Sequence, residues 1–215
     1  MARQDPTGSE AQKAASAAIA KDFVMPEAIA VLREEHRNMV ALLRTLEWQV
    51  DEFASGNQPD YDVIGAALDY FQSFPDLYHH PREELIFARV HERDPGITQR
   101  IGDLRIAHRE LAARSHEFAT ALRAVLDEQE VSREAFARWA RGFIDLQRRH
   151  IDVEESTFFP AAATALTAED WADLRTVMMT QDDPVLGEQA FARFEQLRKT
   201  VLRWQAQDQA ARAKH

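Results

Sequence analysis

Two stretches decide the fold: Tyr78-His79-His80-Pro81-Arg82-Glu83-Glu84-Leu85-Ile86-Phe87 and His150-Ile151-Asp152-Val153-Glu154-Glu155-Ser156-Thr157-Phe158-Phe159-Pro160. Superposed, His79 falls on His150, Glu83 on Glu154, Glu84 on Glu155 and Phe87 on Phe158. Each carries His-x-x-x-Glu, and on a helix that spacing places imidazole and carboxylate one turn apart on one face. Two such pairs facing each other have the donors to hold two metal ions.

The apolar pattern around them is helical. Ile29, Leu32, His36, Met39, Val40, Leu43, Leu46 and Val50 recur at three- and four-residue spacing, predicting a first long helix from Pro26 to Ser55-Gly56. A second runs from about Tyr61 to Val90 through Ile64, Leu68, Phe71, Leu77 and Phe87. Pro75 and Pro81 lie inside it, and each removes a donor and crowds the preceding turn, so a kink or bulge is expected beside His79. A third, from about Thr98 to Glu128, buries Ile101, Leu104, His108, Leu111, Phe118, Leu122 and Val125. The fourth starts near Ser132 and carries Phe136, Trp139, Phe143, Leu146 and His150 to about Phe159. Thr167-Ala168-Glu169-Asp170 opens a further helix with Trp171, Leu174 and Val177, and a last helix spans roughly Val185 to Gln205. The expected architecture is all-α: an up-down four-helix bundle over 26–163, two additional C-terminal helices over 164–215 packed on it, and a flexible N-terminal arm over 1–25.

The helices also repeat. His36 precedes His79 by 43 residues and His108 precedes His150 by 42, and Leu32-Arg33-Glu34-Glu35-His36-Arg37 parallels Leu104-Arg105-Ile106-Ala107-His108-Arg109. Helix-His followed by helix-His-x-x-x-Glu thus occurs twice, as in a pair of hairpins related by a pseudo-two-fold. Closing them brings His36, His79, Glu83, His108, His150 and Glu154 into one cross-section of the core, a donor set for a first-row transition metal, iron first. One such pair alone is ordinarily a surface contact. Two in register are not, because burying six such groups without a metal costs several kcal/mol. Four imidazoles and two bridging carboxylates fill about 8 of about 12 octahedral positions, leaving room for solvent and a small ligand.

Other histidines are read individually. His79 and His80 diverge by about 100°, so one normally faces the core, and alignment with His150 favours His79. His80 is kept as an additional ligand that a kink at Pro81 would admit. His116, two turns beyond His108 on much the same face, is read as a channel or core residue and kept as a second additional candidate. His91 is read as a solvated helix-end residue, and His215 as terminal. Glu35, Glu84 and Glu155 are read as solvated or as hydrogen-bonding behind the ligands; Trp48, Phe87, Trp139, Phe143, Phe158 and Phe159 as core and shielding residues.

Composition narrows the function. Hydrophobic residues make up 45% and charged residues 29%, as in ordinary globular proteins. A net charge of -10 gives neither nucleic acid nor an anionic membrane an electrostatic reason to approach. No run approaches the roughly 20 apolar residues of a membrane span, and no signal peptide is read at the N-terminus. With no cysteine, any metal is held by His and carboxylates, and a cytoplasmic location is expected. Glu-x-x-His pairs of ferritin-like di-iron enzymes, His-Glu-x-x-His and Gly-rich phosphate loops are all missing.

Leu32-Arg33-Glu34-Glu35-His36, the run from His79 to Phe87, His108 and the run from His150 to Pro160 together resemble the haemerythrin-like (HHE cation-binding) family over about 26–203. Asp170-Trp171 and Asp182-Asp183-Pro184-Val185-Leu186-Gly187 are similar to the C-terminal extension of a bacterial branch. The resemblance implies two non-haem iron ions bridged by carboxylates and an oxo or hydroxo group. It further implies a protein that binds or processes O2, NO or peroxide as sensor, scavenger or store, in oxidative or nitrosative stress. The alternatives are a di-iron oxidoreductase (catalase- or peroxidase-like, or a nitric-oxide reductase) served by an unknown redox partner, an iron–sulfur repair protein, and a helical interaction module that has lost its metal. Oxygen carriers of the family have a second His four residues after the third-helix ligand, where this chain has Ala112, and Asp on the fourth helix, where it has Glu154. The expected site is therefore one imidazole short.

Overall fold

The computed structural model describes the backbone of residues 7–181 and of 196, 199, 200, 203 and 204, with side chains described over 27–178 and at those five positions. Helices follow in the order α1 (Thr7–Ala54), α2 (Tyr61–Phe71), α3 (His80–Arg93), α4 (Ile97–Ile101), α5 (Leu104–Leu126), α6 (Arg133–Val153), α7 (Phe159–Ala165) and α8 (Ala168–Gln181), and no strand occurs among the described residues. Five-residue π-helical turns, Pro75–His79 and Glu154–Phe158, lead into α3 and α7, so α2–α3 and α6–α7 each act as one long bundle helix. With α1 and α5 they form a closed ring of four, in which α1 packs on α2 and α6, and α5 on α2 and α6. This is the expected all-α bundle.

Local chemistry sets the breaks. Gly56 ends α1 at φ 89°, and Asp60 caps α2 by accepting from the Asp62 and Val63 amides. The third helix does not run unbroken from Thr98. Gly102 adopts φ 78° and ψ -167°, a conformation close to glycine-only, and splits off α4 before Asp103 caps α5. Ser132 caps α6 through the Ala135 amide. α1 is continuous from Thr7, with Pro26 inside it rather than in its first turn; side chains before Glu27 lie outside the described residues.

The two π-turns have one cause. Each ends two residues before a proline, Pro81 or Pro160. A proline ring in a helix clashes with the carbonyl four residues back, and widening the turn relieves the clash. Accordingly the His80 amide donates to the Pro75 carbonyl and the Phe159 amide to the Glu154 carbonyl, five residues back in each case. The bulge expected beside His79 is the first of these. The widened turn also points Leu77 outward, 64% exposed where burial was expected. Trp139 (44%) and Val177 (40%) are likewise exposed, lying on the solvent side of α6 and α8.

The core has two apolar layers. One holds Met39, Leu43, Phe71, Phe118, Phe136 and Phe143; the other holds Leu32, Ile86, Phe87, Leu104, Phe158, Phe159 and Trp171. Along each bundle helix the polar residues singled out above fall between these layers. α8 closes one end against α1 and α3. Trp171 is buried there, and Asp170 accepts from Arg89 at 3.1 Å and Arg93 at 2.9 Å. The last predicted helix, Val185 to Gln205, and His215 lie outside the described residues apart from helical positions 196, 199, 200, 203 and 204.

Candidate metal centre

Five imidazoles and two carboxylates meet between the apolar layers. Two overlapping groups have ligand atoms all within 4.8 Å of one another: His36, His79, Glu83 and Glu154, and His80, Glu83, His108 and His150. All seven residues are buried, Glu83 and Glu154 at 0% exposure. The six residues expected in the site are thus brought together, and His80 joins them.

The carboxylates span the two groups. Glu83 Oε1 lies 3.1 Å from His79 Nε2 and 3.5 Å from His36 Nε2, while its Oε2 faces His108 Nε2 at 3.6 Å. Glu154 Oε2 lies 3.3 Å from His36 Nε2, and its Oε1 lies 3.0 Å from His150 Nε2 and 3.7 Å from His108 Nε2. Each therefore offers one oxygen to either group. His36 and His79 point Nε2 at each other across 3.0 Å, and the His80 ring stacks on His108 at 3.8 Å.

A metal fits this set on the chemistry of its unpaired atoms. His80 Nε2, His108 Nε2, His150 Nε2 and all four oxygens of Glu83 and Glu154 are buried without a hydrogen bond. Unpaired polar atoms in that number are a large free-energy cost, and a divalent cation removes it. Protons partly stand in for a cation. Burial would push His36 and His108 down, but the negative charges of Glu154 and Glu83 close by hold both up at about 10. His79 is held at about 9, because Glu83 and Glu35 outweigh its burial. Burial pushes His80 down to about 4, against a single bond from Asp76 and with positive charge at His108 and His79 nearby. Glu83, despite its burial, is held well below the usual carboxylate range by His79, His108 and His36. His80 is thus a neutral imidazole, the form that ligates metals.

Behind the ligands stands a ring of acids. His36 Nδ1 lies 2.9 Å from Glu155, His79 Nδ1 2.7 Å from Glu35, His80 Nδ1 3.1 Å from Asp76 and His108 Nδ1 3.1 Å from Glu84. Such partners fix tautomer and ring orientation and leave Nε2 free to bind. Glu35, Glu84 and Glu155 thus take the hydrogen-bonding alternative of their expected roles, and Asp76 adds one that the sequence reading missed. Its signal was present, since Asp76 precedes His80 by four residues. Phe159 stacks on His36 at 5.3 Å, and Phe87 and Phe158 are buried beside the site. A surface groove of about 570 Å³ lined by Arg33, Arg37, Arg44, Ile151 and Glu155 has His36 in its wall.

His116 is not part of the centre. It is exposed and bonds back to the Ala112 carbonyl at 2.8 Å. Eight residues from His108 place it about 80° around the helix and about 12 Å along it, too far on both counts. His91 is exposed at the end of α3, 3.1 Å from Thr98, as expected of a helix-end residue.

No curated protein and no solved structure matches the chain significantly. Residues 27–162 match the model of the hemerythrin HHE cation-binding domain, a span that takes in all four bundle helices except the start of α1 and the end of α7, and all seven clustered residues. By that match and by the bundle that carries it, the chain belongs to the haemerythrin HHE cation-binding family.

Proposed function

We propose that the chain is a non-haem di-iron protein that binds or processes a small ligand (O2, NO or peroxide) as a sensor, scavenger or store. The observation that carries the proposal is the convergence of seven unpaired buried atoms from His80, His108, His150, Glu83 and Glu154 on the facing nitrogens of His36 and His79. His36 and His79 would serve one ion, His80, His108 and His150 the other, with Glu83 and Glu154 shared. Nitrogen–oxygen donors without thiolate suit iron. When bound, the two ions supply redox equivalents and an open position for the ligand. Five imidazoles and two bridging carboxylates fill about 9 of about 12 octahedral positions, one more than the six-residue set allowed.

The protein's own residues do the rest. Glu35, Asp76, Glu84 and Glu155 orient four imidazoles. Phe87, Phe158 and Phe159 keep bulk water from the cluster, and the groove beside His36 is a route of approach.

Iron analysis after anaerobic reconstitution tests the reading. About two irons per chain are expected, with protons released on uptake because the buried Glu83 and Glu154 carboxylates raise the affinity of the His36, His79 and His108 cluster for protons in the metal-free protein. Glu83→Ala and Glu154→Ala should each lose iron, whereas His91→Ala should not. A wild-type chain that takes up no iron would end the reading. Adding O2 and then H2O2 to the reduced protein separates the roles. A band that reverses under vacuum marks reversible binding, and gas evolution marks an oxidoreductase instead.

A further inference from the structure

Two of the acids behind the ligands are themselves held by arginine in matching ways. Glu155 meets His36 Nδ1 with Oε1 at 2.9 Å and accepts from Arg33 Nε on Oε2 at 3.0 Å. Glu84 meets His108 Nδ1 with Oε1 at 3.1 Å, and its Oε2 faces Arg105 Nε at 3.5 Å. The same atoms meet in both chains. Arg33 precedes His36 by three residues as Arg105 precedes His108, and Glu155 follows Glu154 as Glu84 follows Glu83. Each chain crosses hairpins, because Glu155 of the second serves His36 of the first and Glu84 of the first serves His108 of the second. A third chain, Arg82–Glu35–His79, has no counterpart, since Val153 and Ala107 hold the aligned positions. Among the described residues His150 Nδ1 has no carboxylate partner.

Arg33 and Arg105 are 44% and 59% exposed, and pairs so wet add little to stability. Stability is therefore a poor reason for the atom-for-atom repetition. We propose that Arg33 and Arg105 are a matched pair of positioning residues. They hold Glu155 and Glu84 as acceptors for His36 and His108, and so set the orientation and electron donation of one imidazole at each metal position. The metal consequence rests on the di-iron reading; the arginine–glutamate–histidine contacts do not.

The two members of each chain act in opposite directions. A carboxylate on Nδ1–H makes the imidazole a stronger donor, which favours the more oxidised metal. The arginine on the other oxygen offsets that negative charge, so its loss strengthens donation while loosening the carboxylate. Redox titration of the iron-loaded full chain reads the signs. Glu155→Gln and Glu84→Gln should raise the midpoint potential and weaken metal affinity about 10- to 100-fold. Arg33→Gln and Arg105→Gln should lower the potential, and Arg33→Lys and Arg105→Lys should stay near wild type.

A second readout needs no metal. In the metal-free protein the His36 and His108 Nδ1 protons should exchange slowly by NMR. Arg33→Gln should speed exchange at His36 alone, and Arg105→Gln at His108 alone. Arginine variants that leave both readouts at wild-type values, or that shift the potential in the same direction as the glutamate variants, would overturn the proposal. A wild-type chain without iron defeats the di-iron reading only, and the exchange rates still decide the arginine pair.

Discussion

A carboxylate on a helix can be flanked by imidazoles three and four residues before it, and Glu83 has both, His80 and His79. The two rings diverge by about 100° from each other, but each lies only about 40–60° from Glu83. One therefore reaches each metal group while Glu83 lies between. In the proposed di-iron site His80 would supply the imidazole that Ala112 withholds. His80→Ala should leave the folded chain with about one iron in place of two, whereas His116→Ala should keep both; metal analysis of the purified variants checks this, and equal retention would remove His80 from the site. The six-residue set was legible because it repeats in register. His80 was harder to read because the comparison that found the site also hid it. Its aligned partner in the second hairpin is Ile151, which is buried and apolar, so nothing in the repeat pointed to a ligand there. The signal for His80 lies in its angle from Glu83, not in its angle from His79.

Helix punctuation fixes where the ligands fall. Pro81 and Pro160 each force a widened turn, and the second of these begins at Glu154, one of the two carboxylates of the cluster. Prolines announced the first bulge in the sequence, but Pro160 lay at the expected end of its helix, so no second bulge was expected. Gly102 was passed over for the opposite reason: its neighbours Ile101 and Leu104 fit one helical pattern, and only the backbone shows that glycine permits a sharp break there. That break sets the start of α5, one turn before His108. Gly102→Ala places a side chain on a backbone with φ 78° and should cost roughly 1–3 kcal/mol. Gly65→Ala lies inside α2 at an ordinary φ with nothing within 4 Å of the added carbon, and should gain roughly 0.5–1 kcal/mol. Thermal unfolding of the metal-free protein should move the two variants in opposite directions. A common direction would mean that the break is not a glycine conformation.

At the scale of the molecule, the centre is buried because apolar layers close it on both sides, and α8 completes one of them. α8 docks through buried Trp171 and Leu174 and an Arg175–Glu27 ion pair, and its one buried charge is Asp170. Asp170 is 1% exposed, accepts from Arg89 and Arg93 on α3, and exchanges bonds with Thr167 in a cap at the start of α8. Burial would raise the Asp170 carboxyl, but Arg93 and the Thr167 amide and hydroxyl hold it well below the usual range. A depressed carboxyl stabilises the fold above the unfolded-state value near 4 and loses that contribution as pH falls through the depressed value. Asp170→Asn keeps the shape but removes the charge that two arginines face, and hydrogen bonds to charged groups contribute about 1.5–3 kcal/mol. The variant should unfold at lower temperature at pH 7, and the gap from wild type should narrow steadily below pH 4. Trp171, buried at 2% exposure in the same layer as Phe158 and Phe159, gives the local readout. With Trp48, Trp139 and Trp204 replaced by Phe in both backgrounds, its fluorescence should shift to the red before global unfolding in the Asp170→Asn variant and together with it otherwise. A constant gap from pH 7 to pH 3 would show that Asp170 acts through shape alone, and the closure of the metal layer would then rest on Trp171 and Leu174.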